Sequence, residues 1–157
     1  MKVKKVLFLL VVCFYLFGCG SLPEPRIITN KFTINEDYDF IWTAIIETLS
    51  DLQLPIQTIE KDSGLIATDW IPFTKEAGKE YADYGKLGLL EHADTLEGKF
   101  NIFVKKITET SCEVRVNCTF EQSTRNLEGD FVRRAPCVST GVLEADIYNS
   151  ILEKVGR

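Results

Sequence analysis

Apolar and polar residues alternate most regularly between residues 112 and 121. The positions that would share one face of a strand there are Cys112, Val114, Val116, Cys118 and Phe120. A period of two is typical of a half-buried strand in an antiparallel sheet. Weaker alternation at 28–34 and 100–107 indicates two more strands, and residues 54–73 have the pattern of a hairpin that turns at Gly64.

Two segments instead repeat apolar residues at helical spacing. The first spans residues 41–52, and Asp37 is placed to cap it. The second spans residues 143–155, where Ser139 or Thr140 can serve as the cap. These elements predict an α+β fold in the order β-α-β-β-β-β-α, an order that resembles the helix-grip fold. An antiparallel sheet would pack against two helices, one of them a long C-terminal helix.

Two stretches fit neither period. Residues 74–97 contain three glycines and two tyrosines without a regular pattern, and a connection of that length in a small domain is often functional. Residues 123–135 are mostly polar and indicate a loop or an edge hairpin.

The first 19 residues have the pattern of a bacterial lipoprotein leader. Three lysines precede an apolar run that is too short to span a membrane comfortably. The run ends at Leu16, Phe17, Gly18 and Cys19, which resemble the lipobox at which a diacylglyceryl group is attached to the cysteine. Several acyl chains give stable anchoring where one chain does not. The alternative is an uncleaved membrane helix with a chance cysteine.

The leader defines the predicted organisation of the chain. Residues 1–18 are a signal peptide, residues 19–26 a lipidated tether with two prolines, and residues 27–157 a single domain. Gly20 follows the lipidated cysteine, where an aspartate would favour the inner membrane in enteric bacteria. By resemblance to lipoproteins of those bacteria, we expect the protein to be located at the outer membrane, on its periplasmic side.

Net charge excludes one class of partner. The full chain carries −5; loss of the leader lowers the 18 basic residues to 15 against 23 acidic residues, which gives −8. Binding to nucleic acid needs a basic patch, and none remains. An acidic domain is also not attracted to an anionic membrane surface, so the predicted membrane contact is made through the lipid.

Three cysteines remain in the predicted domain. Cys112 and Cys118 lie too far apart along one strand to bond to each other, so a disulfide would join Cys137 to Cys118 or to Cys112. Three buried free thiols are the alternative. No close Cys-x-x-Cys pair is present and His92 is the only histidine, so we expect no metal site.

The sequence does not indicate catalysis. His92 stands in an acidic stretch that favours a solvated loop. Residues 139–141 lack the spacing of a phosphate loop or a nucleophile elbow. We therefore predict a protein that is not an enzyme and needs no cofactor.

Several segments together resemble the BamC (NlpB)-like family of outer-membrane lipoproteins. They are Ile41-Trp42, Leu54-Pro55-Ile56, Asp62 to Trp70, Gly98 to Ile102 and Cys137 to Glu144. The resemblance implies a helix-grip domain and an accessory role in the assembly of β-barrel proteins. The predicted organisation of this chain, a short tether followed by one domain, departs from the family's long N-terminal partner-binding segment and two domains.

The predicted function is that of a protein-interaction module in the envelope. An exposed Trp70 on an edge strand would be a binding anchor, although a core position is the alternative. Further candidate contacts in the irregular stretch are Tyr81, Tyr84, Leu89 and Leu90. Two other functions stay open: a carrier with an apolar ligand between helix and sheet, and a purely structural envelope protein.

Overall fold

The computed structural model describes Ser21, residues 23–88 and residues 90–156. The predicted lipobox at residues 16–19 and the candidate contact Leu89 lie outside these residues. Within the described part of the chain, none of the helices has the length and apolarity needed to cross a membrane.

Eight strands in the described residues form an antiparallel sheet. They are β1 (Lys31–Ile34), β2 (Ile56–Glu60), β3 (Leu65–Thr68), β4 (Ile71–Phe73), β5 (Ala82–Asp83), β6 (Glu91–Thr108), β7 (Ser111–Asn126) and β8 (Phe131–Ser139). The helices are α1 (Tyr38–Asp51), α2 (Lys75–Tyr81) and α3 (Val142–Val155). The strand order is β2-β3-β6-β7-β8-β5.

The central pair β6 and β7 organises the sheet. They contain 18 and 16 residues, and each pairs with two shorter strands in succession along its other edge. Strands β3 and β4 lie beside β6, whereas β1 and β8 lie beside β7. The sheet therefore has a lower half near the β6–β7 turn and an upper half near the β7–β8 turn.

The main core lies between the lower half of the sheet and the pair α1 and α3. Its central side chains are Ile41, Ile45 and Leu49 of α1, Ile147 and Ile151 of α3, and Ile66, Phe100, Ile102, Val114 and Val116 of the sheet. At one side, the rings of Phe32 and Tyr148 stack 3.7 Å apart. We call this side of the sheet the covered face.

A smaller apolar cluster lies under α2, on the same face of the upper half. It contains Ala82, Leu96 and Phe120, with Phe73 and Tyr81 packed against them. Gly98 allows the close packing, since a Cβ atom there would lie 2.8 Å from both the Phe73 and the Phe120 ring. Any side chain at this position would force the two rings apart.

The predicted fold class is wrong. The protein is mostly antiparallel sheet with three short helices, and α3, with 14 residues, is no longer than α1. The cause lies in the two stretches without a clear period. Residues 74–97 form α2, β5 and the start of β6, and residues 123–135 form the end of β7, a turn and most of β8.

The helix starts show one confirmed and one wrong cap. Asp37 caps α1, because its Oδ1 accepts a hydrogen bond from the Phe40 N–H at 2.9 Å. For α3 the cap is Gly141, not Ser139 or Thr140. Its φ of 88° lies in the left-handed region, which glycine adopts without steric cost.

Candidate functional site

The sheet has a second face, turned away from α1 and α3, which we call the open face. It is formed by alternate residues of the central strands because successive side chains point to opposite sides. The members on β6 are Glu97, Lys99, Asn101, Phe103 and Lys105, and those on β7 are Glu113, Arg115, Asn117, Thr119 and Glu121. All ten are half-buried or exposed in the described structure.

Trp70 lies on the open face, just before β4. Its ring is half-buried, and the Lys99 Nζ lies 4.8 Å from the ring centroid, within the range of a cation–π contact. The Trp70 N–H donates to Asp69 Oδ1 at 2.7 Å. Trp70 is therefore outside the buried core, but it is half-buried and not the exposed edge-strand residue that the sequence offered as the other possibility.

Ion pairs lie on the same face as Trp70. Arg134 of β8 contacts Glu97 at 3.1 Å and Glu121 at 3.6 Å. Arg115 contacts Glu113 at 3.1 Å, and its Nε is buried without a partner among the described residues. Half-exposed ion pairs contribute little to stability. They do fix a pattern of charges on the open face, and aromatic and arginine side chains are enriched in protein interfaces.

The other candidate contacts do not join Trp70. Tyr81 packs edge-on against Phe73, with ring centroids 5.6 Å apart, on the covered side of the sheet. Burial and the nearby Asp146 charge raise the pKa of Tyr81. Tyr84 is half-buried in the loop after β5, and Leu90, in the turn just before β6, is 58% exposed. The structure thus divides these residues between separate surfaces.

Sequence reasoning missed a group of exposed apolar residues at the β7–β8 turn. Leu127 is 73% exposed, Phe131 60% and Val132 42%. They flank Glu128, Gly129 and Asp130, a turn with Gly129 at a φ of 91°. The sequence signal for this hairpin was the glycine turn with apolar residues on both sides.

The three domain cysteines are free thiols in the structure. Cys137 lies opposite Phe120 in the β7–β8 register, and so diagonally across from Cys118. Cys112 is eight residues further along β7, a distance of about 26 Å. A disulfide between Cys137 and Cys112 is therefore incompatible with this register.

A buried carboxyl lies beside these thiols. Glu144 of α3 has no solvent exposure; its Oε2 accepts from Ser139 Oγ at 2.8 Å, and its Oε1 has no partner among the described residues. Burial, together with the Glu144 charge, strongly raises the pKa of Cys118, and burial raises the pKa of Cys137 to about 11. Both thiols stay protonated at neutral pH, which makes them poor nucleophiles.

His92 lies on β6, not in the expected loop, and is exposed opposite Arg125. It lines a surface cleft of about 360 Å³ between α2 and the start of β6, together with Phe73, Tyr84, Leu96 and Gln122. Among the residues that the structure covers, no three His, Cys, Asp or Glu side chains are grouped to hold a metal.

Comparisons with known proteins give no further identification. No protein-family model matches the sequence, and no curated protein shows significant similarity to it.

Proposed function

We propose that this protein is a lipid-anchored lipoprotein of the bacterial outer membrane, on its periplasmic side, and that its domain is a protein-interaction module. The leader with Leu16, Phe17, Gly18 and Cys19 supports the anchor. Lipidation would hold the domain at the membrane and leave protein surfaces free for partners.

The open face is the observation that carries the interaction role. A sheet face with an ordered tryptophan, a lysine over its ring and an arginine between two carboxylates combines the residue types that dominate binding energy at interfaces. Its charges are balanced by local pairs. A partner would therefore need matching polar groups around an apolar pocket for Trp70, and not a strong opposite charge.

For the partner we propose envelope proteins, with the β-barrel assembly machinery as the first candidate. This choice rests on the resemblance of the quoted sequence segments to the BamC-like lipoproteins. The structure overturns the helix-grip fold that the resemblance implied, so this choice rests on the five sequence segments alone.

A carrier function has weaker support. It needs a cavity between the helices and the sheet, lined by Phe100, Ile102, Val116 and Phe120. Each of these residues is at most 3% exposed and belongs to a packed cluster, and none lines the surface cleft beside His92 or the cleft between Tyr38 and Arg115. This packing favours the interaction module.

The test is crosslinking and affinity purification of the tagged protein from envelopes of its own host. We expect specific recovery of envelope proteins, and loss of that recovery in Trp70→Ala. Ile59→Ala is the matched control, because Ile59 is 51% exposed but lies on the edge strand β2. If the protein is recovered alone, or if both variants behave alike, the proposed interaction through the open face is wrong.

The lipid anchor has its own test. Cys19→Ala should abolish labelling with radioactive palmitate and leave the precursor uncleaved, because the thiol that receives the diacylglyceryl group is absent. Cys13→Ala, within the leader, should leave the labelling intact. Unchanged labelling of the Cys19 variant would refute the anchor.

A further inference from the structure

The apolar group at the upper end of the sheet lies close to the point where the lipid is attached. We define the apolar tip as Leu90, Leu127, Phe131 and Val132, which are 42% to 73% exposed. Leu90 belongs to it because Glu91, the next residue, pairs with Asn126 at the end of β7. Four large apolar side chains at the same end of a sheet are unusual unless something covers them.

The segment that follows the lipidation site runs along the domain toward this tip. Arg26 Nη2 contacts Asp83 Oδ2 at 2.6 Å, and the carbonyl of Ser21 accepts from the Lys86 N–H at 3.0 Å. From Arg26 back to Ser21 the chain thus follows residues 83 to 86. Gly88 comes next in that direction, and the Gly88 carbonyl accepts from the Glu91 N–H.

Covalent geometry then limits where the lipid can be. Cys19 is outside the described residues, but it is two residues from Ser21 and so within about 7 Å of it. A lipid on Cys19 would therefore be attached within about 7 Å of Ser21, which is bonded to Lys86 in the segment after β5. With the anchor at Cys19, the membrane would lie on the side toward which residues 83 to 88 run, which is also the side of the apolar tip.

We propose that the apolar tip rests on the lipid surface to which the protein is anchored. This inference depends on the proposed lipid anchor. The tip fits a zwitterionic surface, because its arginines are already paired: Arg125 contacts Asp94 at 2.8 Å and Arg133 contacts Glu91 at 3.2 Å. Glu128 and Asp130 in the turn would be repelled by anionic lipid. Because their carboxylates are costly to remove from water, they also keep the contact at the depth of the headgroups.

Contact at this tip fixes the orientation of the domain. The acyl chains hold one point, and the tip adds a second, so that the long axis of β6 and β7 stands away from the membrane. The open face would then look sideways into the periplasm, accessible to a partner.

The experiment places a tryptophan at each end of the sheet in the full, lipidated protein. Phe131→Trp lies in the tip, and Ile107→Trp, at a position 54% exposed beside the β6–β7 turn, is the matched control about 50 Å away along β6. Each variant is reconstituted in phosphatidylcholine vesicles with bromine-labelled acyl chains. The unsubstituted protein gives the background of Trp42 and Trp70.

We expect quenching of the added tryptophan at position 131 and none above background at position 107. Leu127→Ser in the Phe131→Trp chain should reduce the quenching, and replacing half of the lipid by phosphatidylglycerol should reduce it too. Both sites are exposed, so thermal unfolding should match the parent and exclude a folding defect. Equal quenching at both positions would overturn the proposal, as would crosslinks from the tip to a protein in native envelopes.

The proposed function can fail separately. If palmitate labelling is absent, the anchor is wrong, and the purified processed protein is then added to preformed phosphatidylcholine vesicles. Quenching at position 131 alone would still support contact between the tip and lipid, and partition should fall at least about tenfold in the Leu127→Ser, Phe131→Ser variant. No quenching would overturn the inference as well.

Discussion

The covered and open faces of the sheet are formed by neighbouring residues of the same strands, yet they differ in what they do. On β6, Ile102 has no solvent exposure and packs under α1, whereas Phe103, the next residue, is 39% exposed on the open face. The covered face removes apolar area from water and so supplies stability. The open face contributes little to the core, so its side chains are available for binding a partner.

The two faces also differ in the burial and pairing of their charged groups. The covered face buries one carboxyl, Glu144, with a single hydroxyl donor at Ser139. The open face spreads its charges over half-exposed pairs such as Arg134 with Glu97 and Glu121. Loss of a polar partner should therefore have a larger effect on the covered face, where water cannot replace it.

The largest expected effect compares adjacent residues. Ile102→Ala should lower the free energy of unfolding by about 2–5 kcal/mol, because it leaves a cavity in the packed core. Phe103→Ala should lower it by less than about 1 kcal/mol, since its ring is partly in water. Urea unfolding followed by circular dichroism measures both. Equal losses would mean that the two faces do not differ as described.

The buried carboxyl provides the next test. Ser139→Ala removes the donor to Glu144 and should lower the free energy of unfolding by about 1–3 kcal/mol. The control is Ser150→Ala, whose hydroxyl donates to the Asp146 carbonyl on an exposed turn of α3; we expect a change within about 0.5 kcal/mol. An unchanged stability in the Ser139 variant would show that water reaches the carboxyl.

A smaller effect is expected at Trp70. Lys99→Met should lower the free energy of unfolding by about 0.5–1 kcal/mol through loss of the cation–π contact, and should change the Trp70 fluorescence. Lys105→Met, on the same face and farther from the ring, should change neither quantity. If the two variants give the same spectra, Lys99 does not hold the ring, and the open face is less ordered than the structure indicates.

Sequence reasoning found the parts of the fold in which period and burial agree. Strand β7 from Cys112 to Phe120 and the start of α1 at Asp37 were predicted correctly, because one face is apolar and the cap is a local hydrogen bond. The hairpin turn at Gly64 followed from a similarly local signal, and Gly64 has the positive φ of 70° that such a turn uses. The strand before the turn begins at Ile56, two residues later than predicted.

The upper half of the sheet was missed for a physical reason. Gln122, Ser123 and Thr124 are at most 5% exposed although all are polar, so the strand continues without an apolar pattern. Their burial depends on pairing with β8 and, farther away in sequence, with the start of β6. The division of the candidate contacts follows from the same long-range pairing. Only the sheet register shows that Trp70 and Tyr81 lie on opposite sides.

The smallest expected effect lies at the β5 edge, where the segment after the leader meets the domain. The Gly85 N–H donates to Asp83 Oδ1 at 2.9 Å, and Arg26 contacts the other oxygen. The Gly85 N–H, aided by the Arg26 charge, lowers the pKa of Asp83. A lowered folded-state pKa means that this link is complete above the unfolded value of about 3.9 and is lost as the pH falls through the folded value.

The link should therefore open in acid without unfolding the core. We expect the Gly85 and Lys86 amides, corrected for intrinsic exchange, to lose protection from hydrogen exchange below about pH 4 while Ile102 and Val114 keep theirs. In Asp83→Asn the two amides should be weakly protected at every pH, because the carboxylate that accepts from Gly85 and pairs with Arg26 is gone. Asp62→Asn, in the exposed β2–β3 turn, should leave the pH profile intact. If Asp83→Asn retains the parent profile, the segment is held by the Ser21–Lys86 bond alone. Its position would then depend on backbone pairing, as within the sheet, and not on the surface charges typical of the open face.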